Sequence, residues 1–245
     1  LQYGRFLWGV VRADLGRSYF YRRPVREVIM ERFPATVELA LGAMLVAGVI
    51  AFPLGIIAAL REGTIWDTTS MFFALLGVSM PNFWLGPLLI LLFSIQLGWF
   101  PVSGKGGMES LALPAVTLGT ALAALLSRMT RSSLLEVLGE EYLTVARAKG
   151  LPEGKVILKH AMRNALIPLV TIMGLQFGAL LSGAIITENV FSWPGIGQLL
   201  LTAIEARDYP LIQGCVLLIS LVYLGVNLGV DILYGIIDPR VSYKK

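Results

Sequence analysis

Long apolar stretches alternate with short polar ones along this chain, and five of the apolar stretches have the length of membrane-spanning helices. A helix needs about 20 mostly apolar residues to cross the hydrocarbon core of a bilayer. Spans are therefore predicted at residues 35–60, 69–97, 111–126, 165–186 and 211–237, the third being the shortest. The strict alternation of a membrane barrel is absent from these stretches. Backbone polar groups must then pair within helices, so the pattern predicts an all-α, polytopic transmembrane bundle.

Residues 1–34, ahead of the first span, form an amphipathic lead-in. Phe6, Leu7 and Val10 recur at helical spacing, and arginines are distributed around them. A helix and loop lying on lipid headgroups is the simpler interpretation, and a specific docking surface is the alternative. Residues 35–245 would then form the transmembrane domain.

Helix-breaking residues follow one another in the second span: Gly77, Pro81, Asn82, Gly86 and Pro87. Proline lacks the N–H that a helix needs and bends it, so a bend is predicted near the middle of this span. Broken helices at membrane depth are tolerated where they are buried or line a wet cavity. A translocation path and a bend needed only for packing are equally compatible with this pattern.

Small residues recur at every fourth position on several spans. Such ridges let helix backbones approach closely, and contacts within the chain are the expected use, with a second chain as the alternative. The ridges are Ala43, Ala47, Ala51, Gly55 and Ala59; Ala115, Gly119, Ala123 and Ser127; Gly174, Gly178 and Ser182; Gly225 and Gly229.

The composition agrees with a membrane protein and excludes several other classes. Hydrophobic residues make up 56% of the chain and charged residues only 15%, and the mean hydropathy is +0.74. The net charge is +4, but no basic patch interleaved with aromatic residues suggests nucleic acid. One histidine and one cysteine cannot build a Cys/His metal cluster or a Cys–His nucleophile.

No phosphate-binding loop is present either. The Gly-Lys pairs at Gly104-Lys105 and Gly154-Lys155 lack the upstream glycine at the right distance and the following Ser or Thr. We therefore predict no catalytic residues, no metal site and no cofactor in this chain, which cannot by itself bind and hydrolyse ATP in the usual way.

Polar residues inside the spans are few. Glu38 lies near one helix end, Asp231 lies in the last span, and Asn227 precedes it by one turn on the same face. A carboxylate at membrane depth is costly, so each would pair with a basic residue or line a path. With Pro81 and Asn82, the candidates for a translocation path are Gln176, Asn227 and Asp231.

A polar, basic insert at residues 131–165 separates two apolar spans. It is predicted to form two short helices, because Gly150 suits the end of the first while Pro152 and Glu153 suit the first turn of the next. A bent helical element held at the membrane surface could dock a soluble partner. A plain charged connector is the alternative.

Several segments of the chain together resemble one family. The insert carries Ala146-Arg147-Ala148-Lys149-Gly150-Leu151, followed by His160, Asn164-Ala165 and Pro168. Elsewhere stand Ala13-Asp14-Leu15-Gly16-Arg17-Ser18, Met80-Pro81-Asn82-Phe83-Trp84, the run Glu188-Asn189-Val190-Phe191-Ser192-Trp193-Pro194-Gly195-Ile196-Gly197, and Asp231 to Arg240. In combination these resemble ABC importer permeases of the dipeptide, oligopeptide and nickel type, whose cytoplasmic "EAA" loop the insert matches.

The chain departs from the family pattern in two places. Thr144-Val145-Ala146 stands where the general loop has Glu-Ala-Ala, although the peptide subclass commonly lacks that glutamate. Family members also carry a sixth, N-terminal span, so the resemblance leads us to expect a start upstream of Leu1.

The resemblance implies a role for each part of the chain. Gly150 would turn the backbone sharply and Leu151 would enter an apolar pocket on a separate ATPase subunit. Arg147, Lys149 and Lys155 would meet carboxylates on its rim, whereas His160 would pack or cap within the insert. Ala146 and Ala148 complete this coupling loop. On the opposite side, the extracytoplasmic gate or the contact with a binding protein would involve Asn189, Phe191, Trp193, Pro194 and Gly195.

The same resemblance implies the partners and the location. They are a second homologous permease subunit, two cytoplasmic ATPase subunits that bind ATP and Mg, an extracytoplasmic solute-binding protein and membrane lipid. The chain would lie in a bacterial or archaeal inner membrane with its insert and C-terminus in the cytoplasm. Peptides are the first candidates for the substrate, and nickel complexes and glutathione come after them. An ion- or proton-coupled secondary transporter and a membrane scaffold that transports nothing are the other hypotheses.

Overall fold

The structure is a computed structural model that describes residues 8–10, 12 and 14–237, without the side chains of residues 182, 183 and 233–237. Phe6 and Leu7 of the lead-in, and the segment Asp238-Pro239-Arg240, lie outside the described residues. The principal helices are α1 (Val25–Leu60), α2 (Ile65–Ser79), α3 (Asn82–Leu89), α4 (Met108–Leu138), α5 (Glu141–Ala148), α6 (Met162–Gly183), α7 (Ile185–Val190), α8 (Ile196–Glu205) and α9 (Tyr209–Ile237).

Two π-helical segments extend these helices. One, Ile90–Gln96, continues α3; the other, Val156–Ala161, follows the single helical turn Glu153–Lys155 and leads into α6. A π-helix carries more residues per turn than an α-helix and often marks a functional position. The second π-segment lies within the polar insert.

Four helical segments are long and apolar enough to cross a membrane: Val25–Leu60, Met108–Leu138, Glu153–Leu181 and Tyr209–Ile232. The interrupted pair α2 and α3 makes a fifth if it counts as one span. Within the described residues, the all-α, polytopic fold is confirmed, and the number of spans is four, or the predicted five if the interrupted pair is one span.

The third span is longer than its apolar stretch predicted, because polar residues continue the helix. In α4 the hydroxyls of Thr117, Ser127 and Thr130 are buried and donate to backbone carbonyls four residues earlier, at 2.7–2.8 Å. A hydroxyl satisfied by its own helix can be buried at little cost. A prediction based on hydropathy alone therefore ended this span too early.

The bend predicted in the second span is confirmed as a break in the helix. Helix α2 ends at Ser79, and Met80 has an extended backbone with φ −95° and ψ 112°. Steric contact with the proline ring pushes the preceding residue into this region. Pro81 therefore interrupts the span, whereas Pro87 lies inside α3.

The chain divides into two compact units, the first made of residues 1–42, 82–117 and 178–225. Its core joins Val25 and Ile29 of α1 to Leu199 of α8 and Leu211 of α9. A Cβ added at Gly214 would lie 2.5 Å from Val25 Cγ1. A small residue therefore permits this close approach of α9 to α1.

The second unit contains residues 43–81, 118–177 and 226–245. A Cβ at Gly55 would lie 2.8 Å from the Ser127 carbonyl oxygen, and one at Gly119 would lie 2.8 Å from that of Ala43. The prediction that small residues pack helices within the chain is confirmed at these positions. Gly225 and Gly229 differ, because a Cβ at either would meet nothing within 4 Å.

Candidate functional site

The first helix of the insert, α5, ends in a glycine corner. Gly150 has φ +76°; its N–H donates to the Arg147 carbonyl at 2.9 Å and the Leu151 N–H donates to the Ala146 carbonyl at 3.4 Å. These two bonds form a Schellman motif, which pairs the last carbonyls of a helix and reverses the chain. The break predicted at Gly150 is confirmed.

The backbone conformation, and not lack of space, requires glycine at this corner. A Cβ at Gly150 would meet no atom within 4 Å. A positive φ is nevertheless strained for other residues, and most of all for β-branched ones. Gly154, four residues later, has the same open surroundings without a positive φ.

The insert is seated on the membrane helices by a buried apolar cluster. Leu143 and Ala146 of α5 and Val156 of the π-segment pack with Ala59 of α1 and Leu134 of α4. Leu143, Val156 and Leu134 are completely buried. Side chains of the insert and of two long helices therefore share one buried cluster.

Leu151 and Arg147 already have partners within the chain. Leu151 is half-buried and packs against the same cluster. The Arg147 guanidinium lies 2.9 Å from a Glu153 carboxylate oxygen, and its Nε donates to both carboxylate oxygens at 3.2–3.3 Å. This ion pair spans the glycine corner. Lys149 and Lys155 are exposed and form no ion pair with the described residues.

Two exposed apolar side chains on the insert were not predicted as site residues. Val145 is 53% exposed and Leu158 is 67% exposed. The signal was present in the spacing: with Leu143 and Ala146 buried, Val145 must face away from the cluster. The sequence-based prediction named the charged residues of the insert as its docking contacts and did not include this apolar surface.

His160 is half-buried at a cleft between α5 and the start of α6. The Asn164 amide donates to the Tyr142 hydroxyl at 2.7 Å, and that hydroxyl donates to the His160 carbonyl at 3.4 Å. These bonds tie the two helices of the insert together. Neither Tyr142 nor Asn164 was predicted to have this role.

An ion pair fixes the base of the insert. Arg131 of α4 donates from Nε and Nη2 to the two carboxylate oxygens of Asp67, both at 2.7 Å. Glu62 lies 3.7 Å away as a second acidic neighbour, and the Gly63 N–H also donates to Asp67. The pair joins residues 64 positions apart. No local pattern signals such a contact.

The candidate path residues differ in their exposure. In the second unit, no hydrogen bond or ion pair among the described residues links any two of Pro81, Gln176, Asn227 and Asp231. Asn82, Gln176 and Asn227 are half-buried, whereas Pro81 and Asp231 are exposed. The Asn227 side-chain oxygen is buried and has no hydrogen-bond partner among the residues that the structure describes.

The two acidic residues noted in the spans have different surroundings. Glu38 forms an ion pair with Lys105, as predicted for such a carboxylate. The expected position near a helix end is wrong, because α1 begins at Val25 and Glu38 lies well inside it. Asp231 forms no ion pair within the part of the chain that is described.

The segment from Glu188 to Gly197 is organised by a buried carboxylate. Glu188 is fully buried; it accepts from the Thr36 hydroxyl at 2.7 Å and from the Gln198 N–H at 3.0 Å. Burial raises the pKa of Glu188, against the opposing effect of these bonds and of one from the Gly197 backbone. The Trp193 indole N–H donates to the Ala35 carbonyl at 2.8 Å.

This arrangement separates the predicted gate residues into two groups. Phe191, Trp193 and Gly195 are buried within the first unit, and Pro194 is half-buried. Only Asn189 of the five is exposed. The buried residues therefore contribute to the packing of this segment, and Asn189 is accessible at its surface.

A second buried carboxylate, Asp208, holds the lead-in against the first unit. It accepts from the Ser18 hydroxyl at 2.5 Å and from the Phe20 N–H at 3.1 Å. Burial by itself would raise the pKa of Asp208, but hydrogen bonds from Ser18, Phe20, Tyr19 and Leu211 outweigh it and lower that pKa. Sequence reasoning missed this contact because it joins residues 190 positions apart.

Comparisons with known proteins identify the family to which this chain is related. Residues 51–243 match the family of binding-protein-dependent transport system inner membrane components. The chain is 45% identical to the dipeptide transport system permease protein DppB of Escherichia coli K12, over 100% of this chain and 81% of that protein. It is 47% identical to the glutathione transport system permease protein GsiC of the same strain, over 99% of this chain and 79% of that protein.

A solved structure supports the fold. An inward-facing structure of the MetNI methionine ABC transporter matches with a TM-score of 0.69 and 20% identity, over 86% of this chain and 96% of the matched chain. The family match covers most of the chain, and both relatives align along nearly all of it. The chain therefore belongs to the family of binding-protein-dependent transport system inner membrane components.

Proposed function

We propose that this chain is a membrane-spanning, non-catalytic permease subunit of an ABC importer, whose insert docks a separate ATPase. The observation that carries the proposal is the glycine corner at Gly150, rigidly seated on a cluster that includes Ala59 of α1 and Leu134 of α4. Closure of the ATPase would move the corner, and the shared cluster would pass that movement to the spans. Val145 and Leu158 supply exposed apolar surface for the contact.

Small peptides are the proposed substrates. The two relatives named above are permeases of dipeptide and glutathione systems, and glutathione is itself a tripeptide. Nickel complexes are the alternative substrates, because permeases of this type also include nickel permeases. Selectivity would reside largely in an extracytoplasmic binding protein, with Pro81, Asn82, Gln176, Asn227 and Asp231 as the candidate path residues in this chain.

The proposed assembly contains a second homologous permease subunit, two ATPase subunits that bind ATP and Mg, and the binding protein. The insert and the C-terminus would face the cytoplasm of a bacterial or archaeal cell. The segment from Asn189 to Gly195 would then face outward, where Asn189 is the exposed candidate for contact with the binding protein.

Two glycine substitutions in the full complex test the docking role. Gly150→Val places a β-branched residue at a positive φ and should distort the corner, whereas Gly154→Val adds the same side chain in equally open surroundings without that conformation. We expect Gly150→Val to abolish uptake of a labelled dipeptide and to lose the ATPase on purification. Gly154→Val should retain both.

Membrane insertion is measured alongside, as the amount of each variant in the membrane fraction. If both variants insert into the membrane equally, the loss of uptake in Gly150→Val is caused by lost docking and not by failed insertion. Normal uptake with a retained ATPase in Gly150→Val would refute the role assigned to the corner.

A further inference from the structure

A cleft of about 640 Å³ opens where α5 meets the start of α6. Its lining has a polar and basic part, called here the rim, and an apolar part, called the floor. The lining residues are Tyr142, Lys159, His160, Arg163, Asn164, Leu166, Ile167 and Val170. No role proposed above uses this cleft.

The chain builds the cleft with the π-segment Val156–Ala161. In that segment Val156, Ile157 and Ala161 are buried, while Lys159 is exposed and His160 is half-buried. The hydrogen bonds from Asn164 to Tyr142 and from Tyr142 to the His160 carbonyl hold α5 against the π-segment and the start of α6, on either side of the cleft.

The positive charge of this rim is uncompensated. Lys159 and Arg163 are exposed, lie four positions apart on one face and form no ion pair with any described residue. Arg147 and Arg131 of the same insert, by contrast, each pair with a carboxylate. Like charges at this spacing repel one another, so an anion bound between them would relieve that repulsion.

The position of the cleft along the helix specifies the kind of anion. Leu166, Ile167 and Val170 follow the basic residues directly and lie in the helical segment Glu153–Leu181, which is apolar enough to cross a membrane. The basic rim therefore lies toward the end of a span, where lipid headgroups lie, and the apolar floor lies toward the acyl chains.

We propose that this cleft binds an anionic phospholipid. The phosphate would contact Lys159, Arg163 and the amide of Asn164, and an acyl chain would lie along Leu166, Ile167 and Val170. A zwitterionic lipid would gain less, because its headgroup carries no net charge. The proposal does not depend on which substrate is transported.

Lipid titration of the purified full-length protein, in its native complex, tests the proposal. The probes are dioctanoyl phosphatidylglycerol and dioctanoyl phosphatidylcholine, with bound lipid counted by native mass spectrometry. The cleft variant is Lys159→Gln with Arg163→Gln. The matched control is Arg61→Gln with Arg128→Gln, which removes two exposed positive charges from residues that do not line the cleft.

We expect the cleft variant to bind phosphatidylglycerol about 30-fold more weakly than the wild type, since two basic residues near a membrane surface each contribute about fivefold. The control should change by less than about threefold, and phosphatidylcholine should bind all proteins weakly. The charge-retaining variant Lys159→Arg with Arg163→Lys should keep the affinity, which separates loss of the site from loss of the fold.

Two outcomes would overturn the proposal. One is equal phosphatidylglycerol affinity in the cleft variant and the control. The other is binding of inorganic phosphate or dialanine at this cleft as tightly as phosphatidylglycerol, because the anion site would then accept a free solute and not a lipid.

Discussion

Gly150 and Gly195 are required for different physical reasons. Gly150 has a positive φ and open surroundings, so its backbone conformation excludes other residues. Gly195 has an ordinary φ of −99°, but a Cβ there would collide with the Glu188 carboxylate. The first requirement was predictable, because a glycine followed by Leu-Pro at a helix end indicates a turn. The second was not, because it depends on a carboxylate whose burial the sequence does not reveal.

Glu188 gives a prediction about stability and pH. Its pKa is raised above the ordinary 4.5 by burial, so the native state binds the proton more tightly than the unfolded state does. Stability should therefore fall as the pH rises from 4.5 through the raised native pKa. Glu188→Gln, which is neutral at every pH, should lose that dependence.

Thermal unfolding of the purified protein in detergent, at a series of pH values, measures this effect. Glu205→Gln, at an exposed carboxylate on α8, removes the same charge and serves as the control. At pH 4.5, where Glu188 is protonated in the native state, Glu188→Ala should destabilise by about 2 kcal/mol, because it leaves the Gln198 N–H and the Thr36 hydroxyl without their acceptor. Parallel pH profiles of the wild type and Glu188→Gln would contradict the prediction.

At the scale of helices, hydrophobic patterning located the apolar helices but misplaced some of their ends. Helix α4 continues through Ser127 and Thr130 because hydroxyls bonded to their own helix are easily buried. The corner after α5 was predicted, because Gly150 and Pro152 are local signals. The pairing of Asp67 with Arg131, which attaches the end of α4 to α2, was missed because it depends on tertiary structure.

The exposed apolar surface of α5 gives a prediction about partner binding. Val145 faces away from the cluster that holds Leu143 and Ala146, so changing it should not disturb the seating of the insert. If the proposed docking is correct, Val145→Asp places a charge in an apolar contact and should weaken the affinity for the ATPase by at least about tenfold.

The affinity is measured by binding of the purified ATPase to the detergent-solubilised permease. Val145→Ile retains an apolar side chain of similar shape and should bind normally. An unchanged affinity in Val145→Asp would mean that the partner docks elsewhere on the insert.

At the scale of the whole molecule, membrane location and family were predictable because they depend on properties distributed along the chain. Apolar spans, the glycine corner and the run from Glu188 to Gly197 each contributed. The identity of the path residues was not predictable. Asn82, Gln176 and Asn227 are ordinary polar side chains, and which of them would meet a solute depends on helix positions that one sequence does not specify.

The energy source of transport gives the last prediction, and Asp231 is the residue at which to test it. A proton-coupled transporter needs an acidic residue at membrane depth that binds and releases the coupled proton. Asp231 is exposed and has no ion-pair partner among the described residues, and the proposed function gives it no proton to carry. Asp231→Asn should therefore leave uptake dependent on ATP.

Proteoliposomes that contain the complete importer, with the binding protein outside and ATP trapped inside, separate the two energy sources. We expect uptake of a labelled dipeptide by the wild type and by Asp231→Asn to require ATP and to persist when a protonophore collapses the gradient. A modest change in rate in the variant is compatible with a residue that lines the path. Uptake that follows the gradient, ignores ATP and disappears in Asp231→Asn would instead identify a secondary transporter, because only then would this carboxylate carry the coupling proton.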